Sequence, residues 1–524
     1  MQVKLFFLFL LLLTIPSAAQ RQPWSQLELD NYVNQVMQEF EVPGISFAVV
    51  KDGKVIVAKG YGLLTLGDTA TVNERTLFGI ASNTKAFTAT ALALLVEEGK
   101  LKWDAPVVNY LPWFQLSDPY VTRELTIRDL LVHRSGLGLG AGDLLWWPPS
   151  TYDRKEIVRR LRYLPLVTSF RSTYAYDNVL YTVAGEVIEA VSGQTWEDFV
   201  KKHILERVGM TTSNVRQTEA EARLRRGNIA TTHAKIEGVV RPVNPFTSDN
   251  TNPAGGINSN AADMAKWMIV QLDSGRISNE TRLFSSATAK ELWTMVVPTP
   301  ITTPPPELAP LRINFSGYAL GFGVRDYRGI KVVTHTGGLP GYVSRVTLMP
   351  EQRLGITVLT NQESIGAFNA ITYYILDRYL KAGKHDWISS IKIVEARRDS
   401  AVKATVHSAI TSRDSSSKPA LPLQKYAGTY RDAWYGDITI TFEDGKLVIR
   451  FTKTPALVGN LEHWQYDTFI ARWDDPELRA DAYVTFALNP DGTIDQVKMK
   501  AVSPATDFSF DFHDLLLKPI RTAR

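Results

Sequence analysis

The sequence predicts an α+β fold: an antiparallel sheet with flanking helices and an all-α lobe, followed by a small C-terminal antiparallel β domain. Three observations predict it. Strand-like segments lie near the start of the chain (Ile45 to Val50 and Val55 to Ala58) and return only much later, from Tyr318 to Thr360. Between them, from Asn83 to about Leu292, the pattern is mostly helical. A sheet that takes strands from distant pieces of chain, with the helices inserted between them, accommodates both. The third observation is a change to short strand patterns from about Gln424 onward.

The elements follow in order. Leu29, Val33, Val36, Met37 and Phe40 recur at helical spacing. The next two apolar runs flank Asp52-Gly53, and Asp-Gly tolerates the positive φ angles of a tight hairpin turn. Later strands fall near Tyr318 to Val324, Lys331 to His335, Val343 to Leu348 and Ile356 to Thr360, and a helix over Ile365 to Leu380 closes the domain. Ser412 to Pro422 is rich in Ser, Lys and Pro and reads as a linker. In the last domain, Ile438 to Phe442 and Leu447 to Phe451 flank Glu443-Asp444-Gly445; Tyr483 to Leu488 and Ile494 to Met499 flank a second turn at Asn489 to Gly492. The expected divisions are a signal peptide over 1–19, a main domain over 20–385, a linker over 386–422 and a β domain over 423–524.

The chain has 524 residues, 44% hydrophobic and 21% charged, which is globular composition and room for two domains. Its formal net charge of +4 is not gathered into basic runs, so no nucleic-acid partner is expected. Lys4 followed by the apolar run Leu5 to Ile15 and by Ser17-Ala18-Ala19 reads as a cleaved signal peptide, too short to span a bilayer. Export to the periplasm or medium is the expectation, with no transmembrane anchor after cleavage. The chain has no cysteine, which excludes disulfides, thiolate metal sites and a cysteine nucleophile. No paired-histidine metal spacing and no G-x-S-x-G occurs, and no cofactor is expected.

Ser82-Asn83-Thr84-Lys85 opens an Ala- and Leu-rich helical segment that stops at Gly99. Residues three apart share a helix face, so Ser82 Oγ and Lys85 Nζ can meet. A serine hydroxyl becomes a nucleophile when a neighbour takes its proton, and a desolvated lysine can do so. The same spacing recurs at Ser389–Lys392, Ser400–Lys403 and Ser415–Lys418, without a buried helix behind it. Tyr176-Asp177-Asn178 precedes the apolar segment Val179 to Val191, where a phenol could relay a proton and an amide could bind a carbonyl. Tyr32-Val33-Asn34 matches the same pattern in a surface helix. His335-Thr336-Gly337-Gly338 ends a predicted strand, where glycines let a substrate approach and the Gly338 N–H could serve an oxyanion. His133, His233 and His463 read as structural or exposed, and Trp434, Tyr435, Trp464 and Trp473 as core of the last domain.

Ser-x-x-Lys, Tyr-x-Asn and His-Thr-Gly in this order resemble the serine β-lactamase and penicillin-binding protein superfamily, over roughly Leu29 to Leu380. The match is closest to class C β-lactamases, D,D-carboxypeptidases and their esterase and D-aminopeptidase relatives, and supporting segments are Leu130 to Gly136, Val208 to Met210 and Pro253 to Ile257. The resemblance implies a β-lactamase/transpeptidase-like fold and an acyl-enzyme on Ser82, with Lys85 and Tyr176 sharing the proton transfers. It further implies that Asn178, His335, Thr336 and Gly337 bind substrate, that the N–H groups of Ser82 and Gly338 form the oxyanion hole, and that the last domain is lipocalin-like. Substrates would be small peptides containing D-amino acids, esters or β-lactams. His335 departs from the Lys-Thr-Gly of efficient class C β-lactamases, so anchoring of a substrate carboxylate should be weaker and pH-dependent. The contrasting readings are a sensor that is acylated without turnover and a weak class C-like β-lactamase.

Overall fold

The computed structural model describes residues 22–219 and 227–520; the expected signal peptide lies outside the described residues. Among the described residues no helix is long and apolar enough to cross a membrane. The strands of the first domain are β1 (Gly44–Lys51), β2 (Lys54–Gly62), β3 (Phe78–Gly79), β4 (His233–Ile236), β5 (Val239–Pro242), β6 (Asn258–Ser259), β7 (Val297–Pro298), β8 (Ser316–Tyr318), β9 (Gly323–Tyr327), β10 (Ile330–Leu339), β11 (Tyr342–Met349) and β12 (Leu354–Thr360). Eight of them form one sheet in the order β2-β1-β12-β11-β10-β9-β8-β7, while β3 pairs with β6 and β4 with β5. The β1–β2 hairpin turns at Asp52 and Gly53, both at positive φ as the Asp-Gly pair requires.

The sequence pattern explains the layers. Strand β1 is buried along both faces because Phe47 and Val49 face one layer while Ala48 and Val50 face the other. On one side lie the helices Gln26–Glu39 and Ile365–Tyr379, with Leu29, Val33, Val36, Phe368 and Ile371 in a shared core. On the other side lie the helix Ala261–Leu272 and the helical lobe. At the centre of that lobe is the helix Thr84–Glu97, buried from Thr84 to Leu95 on every face. A helix without a polar face must be surrounded, and the helix Val179–Ser192 and the turn Asn252–Gly255 cover it.

The segment expected as a linker begins instead with a 25-residue helix, Trp387–Thr411. Its first turns are anchored by buried Trp387, Ile388 and Ile391, with Trp387 Nε1 donating to Asp377 Oδ2 at 3.0 Å. The remainder is largely solvated, which is why its composition resembles that of a linker. Eight antiparallel strands, β13 (Gly428–Asp432), β14 (Gly436–Glu443), β15 (Lys446–Phe451), β16 (Val458–Gln465), β17 (Thr468–Trp473), β18 (Ala482–Leu488), β19 (Ile494–Ala501) and β20 (Leu516–Pro519), close into a barrel. Trp434, Tyr435, Trp464 and Trp473 are buried in it, as the sequence suggested.

The barrel is docked against the helical lobe, and one continuous apolar core runs through both. Tyr152 donates from its phenol to the carbonyl of Tyr435, Arg160 Nη1 donates to Trp434 O at 2.9 Å, and Thr151 N donates to Lys453 O at 2.8 Å. Arg479 pairs with Glu363 through two contacts at 2.6 and 2.8 Å. This docking brings the segment between β19 and β20 to the mouth of the lobe.

Candidate active site

Ser82 sits in a tight turn between β3 and the helix Thr84–Glu97, after Ala81, which adopts a positive φ of 49°. A non-glycine residue in that region marks a backbone held by its surroundings. The turn is pinned from both sides: Ser344 Oγ donates to Ile80 O at 2.7 Å, Asn83 Nδ2 donates to Ser344 Oγ at 2.8 Å, and Ile257 N donates to Thr84 Oγ1 at 3.1 Å. Gly337 packs so tightly here that a Cβ would lie 2.3 Å from Ile80 O. The glycine of the third motif is therefore demanded by close approach.

Lys85 is fully buried, with Nζ 3.0 Å from Ser82 Oγ. Nζ also donates to Asn178 Oδ1 at 2.8 Å and to Ala254 O at 3.0 Å. A neutral amine has two N–H groups and one lone pair. Both N–H groups are committed to carbonyl oxygens, so the lone pair is left for the Ser82 hydroxyl. Burial disfavours the ammonium and pulls the lysine down from 10.5 to about 7, against the opposing pull of Asp143 and Asp177. Tyr176 lines the cavity together with Ser82, and its ring packs against Lys85, whose Nζ lies 4.9 Å from the ring centroid. Burial holds Tyr176 far above the ordinary phenol range, so it stays protonated and can only relay a proton, whereas Lys85 can accept one near neutrality.

The third motif lies along β10. Residues Ile330–Thr334 pair with β9, but His335–Leu339 pair only with β11, which leaves their other edge open toward Ser82. Thr336 and Gly338 are exposed on this edge. The cavity has a volume of about 360 Å³, and Ser82, Tyr176, Asn178, His335, Thr336, Gly337 and Gly338 all line it. All seven cavity-lining candidates thus converge, with Lys85 buried behind Ser82. The other Ser-x-x-Lys matches lie on the Trp387–Thr411 helix or in the loop after it, and Tyr32-Val33-Asn34 lies on the first helix.

His335 has an environment the motif did not suggest. Its Nδ1–H donates to Thr336 O at 2.6 Å and its Nε2 accepts from the Tyr318 phenol at 2.7 Å. Burial and the nearby Lys85 push it down to about 3, so the ring is neutral near pH 7. It orients the strand and leaves charge-based anchoring of a carboxylate without a cation. His133 is buried against Tyr176, with ring centroids 4.4 Å apart, and its Nδ1 accepts from Asp177 N at 3.1 Å. His233 bridges Leu66 N and Asn361 O and is structural.

Several cavity residues were not legible as such. Trp146, Trp147 and Phe246 form an aromatic wall, with the last two stacked at 5.5 Å. Asp507, Phe508 and Ser509 enter from the barrel. Behind the wall, Asp143 receives Asn178 Nδ2 at 2.8 Å. An aspartate inside the apolar run Ala141 to Trp147 was the available signal.

Comparison with known proteins agrees with this geometry. The Beta-lactamase family model matches residues 29–380, and a domain of unknown function, DUF3471, matches residues 412–519. A relative named "Unguisins hydrolase ungD'" from Aspergillus campestris is 30% identical, covering 88% of this chain and 86% of its own. The octameric penicillin-binding protein homologue from Pyrococcus abyssi superposes with a TM-score of 0.60 at 22% identity, covering 94% of this chain and 100% of its own. The penicillin-binding protein from Bacillus halodurans superposes with a TM-score of 0.54 at 22% identity, over 65% of this chain and 98% of its own. A match of this extent to the sheet, the lobe and all three motifs places the chain in the Beta-lactamase family.

Proposed function

We propose that this protein is a serine hydrolase that cleaves amide or ester bonds through an acyl-enzyme on Ser82. The observation that carries the reading is the Lys85 amine, with both N–H groups engaged and its lone pair facing Ser82 Oγ at 3.0 Å. In the first step the Ser82 O–H bond breaks, its proton passes to Lys85 Nζ, and Oγ bonds to the substrate carbonyl carbon. The carbonyl oxygen becomes an oxyanion between the N–H groups of Ser82 and Gly338. Tyr176 passes the proton on to the leaving group, and water then releases the acyl chain by the reverse sequence.

The lining supports a substrate class. Trp146, Trp147, Phe246, Tyr174 and Phe508 offer aromatic surface, and among the described lining residues none carries a positive charge at neutral pH. Apolar peptides containing D-amino acids, or small esters, presented without a free carboxylate at this site, suit it better than carboxylate-bearing β-lactams. The fungal relative is named as a hydrolase, which supports hydrolytic turnover. The apolar N-terminal run supports an exported enzyme. The test is a panel of p-nitrophenyl esters, D-Ala and D-Phe peptides and nitrocefin, run on the protein and on Ser82→Ala. Turnover of neutral substrates that vanishes in Ser82→Ala is expected. Turnover that survives the substitution would overturn the nucleophile, and labelling without turnover would favour a sensor.

A further inference from the structure

The barrel reaches past the cavity wall to a buried carboxyl group behind the site. Asp143 lies in the short turn Asp143–Leu145 and is fully buried. Three groups donate to it: Trp146 Nε1 to Oδ1 at 2.8 Å, Asn178 Nδ2 to Oδ2 at 2.8 Å, and Ser509 Oγ to Oδ2 at 2.8 Å. The Asn178 orientation is fixed by its other end, where Oδ1 accepts from Lys85 Nζ. With Asn178 and Trp146 able only to donate, these contacts suit an ionised acceptor. The turn itself is tied to the barrel, since Asp511 accepts from Gly142 N at 2.7 Å and from Leu144 N at 3.0 Å. Ser509 and Asp511 are both buried, and they lie 366 and 369 or fewer residues along the chain from the turn they hold.

We propose that Ser509 of the barrel is a positioning residue for acyl transfer: it holds Asp143 as the counter-charge, relayed through Asn178, for the ammonium that Lys85 becomes on taking the Ser82 proton. The barrel is thereby part of the catalytic apparatus, an inference that rests on the Ser82–Lys85 reading above. An ammonium created in a dry site needs a fixed opposite charge that costs no reorganisation when it forms. Asp143 is joined to the lysine by two hydrogen bonds through one amide. The other groups facing Lys85 serve less well. Asp177 has one carboxyl oxygen bonded to Leu180 N and the other without a partner, while His133 and His335 are buried, and Tyr176 and Tyr181 offer only ring faces. Around Asp143 itself, Asp177 and Asp511 are the other acids, and burial pushes Asp143 up to about 7. Each donor lost pushes it higher still, and a protonated Asp143 no longer supports an ammonium.

The test is the pH dependence of kcat/KM for p-nitrophenyl acetate, measured on the full chain and on Ser509→Ala, Ser509→Thr and Asp143→Asn. Loss of the counter-charge disfavours the Lys85 ammonium, so the acid limb should move to lower pH while the plateau falls. We expect a plateau loss of about tenfold for Ser509→Ala, with KM little changed and recovery in Ser509→Thr. Asp143→Asn, nearly isosteric, should displace the limb further, by about one pH unit. A folded Ser509→Ala or Asp143→Asn with the native limb and plateau overturns the proposal, as does a rate loss without any movement of the limb. A native protein whose ester hydrolysis is independent of Ser82 would instead overturn the underlying reading.

Discussion

Replacing Lys85 with methionine separates two consequences of one burial, chemistry and pH-dependent stability. The side chain is fully buried, and its titration is drawn from 10.5 down to about 7, chiefly by desolvation. In the unfolded chain the amine titrates near ~10.4. Between about pH 7 and pH 10 the unfolded state therefore holds a proton that the folded state has released, so stability rises with pH in that window and is lost as pH falls back through 7. At ~1.4 kcal/mol per unit, the gain across the window is on the order of 5 kcal/mol. Lys85→Met has no such proton and should show none of this gain, although it leaves Asn178 Oδ1 and Ala254 O without a donor. Urea unfolding of both proteins at about pH 6, 8 and 10 reads the difference directly. The two stabilities should diverge steadily in favour of the native lysine as pH rises, while ester hydrolysis in the variant falls by roughly 10²–10⁴-fold. Parallel stability curves would mean that Lys85 keeps its proton to high pH, and the argument for it as base would collapse.

The other predictions concern the walls of the cavity. Tyr176→Phe removes the relay but keeps the ring under Lys85, so kcat should fall about 10²-fold with KM nearly unchanged; a larger change in KM would assign the phenol to binding. His335→Lys places a second amine near Lys85 and loses the bond from Tyr318. It should lower the acid limb of the rate profile and improve selectivity for esters that carry a carboxylate over those that do not, and an unchanged ratio would remove position 335 from anion recognition. Phe508→Ala opens the barrel side of the cavity. Apolar esters should show KM raised about fivefold with kcat retained, whereas acetate esters should respond little, as steady-state kinetics will show.

The three motifs were legible because each is local. Ser82 and Lys85 meet across one helical turn, Tyr176 and Asn178 flank one helix start, and His335 to Gly338 share one strand end. Their chemistry needs no knowledge of the rest of the chain. The hairpin at Asp52-Gly53, the buried lobe helix and the barrel turns were readable for the same reason. Asp143 was not, since an acid in an apolar run reads only as an anomaly until its donors are known, and those come from Asn178 and from Ser509 in another domain. The segment Asp507 to Phe512 alternates polar and apolar residues, a pattern that points to a strand and gives no hint of a cleft wall. The neutrality of His335 was equally hidden, because it depends on Tyr318 and on enclosure rather than on its own motif. The Trp387–Thr411 helix escaped notice because only its first turns are buried.

Mass spectrometry of the peptide spanning Ala81 to Lys85, after acid quench of the protein turning over p-nitrophenyl acetate, tests the central claim most directly. The acetyl increment should appear on Ser82, accumulate faster as pH rises through about 7, and form far more slowly in Lys85→Met. An acetyl group found stably on another residue, or hydrolysis that proceeds with Ser82 unmodified and replaceable, would contradict the account.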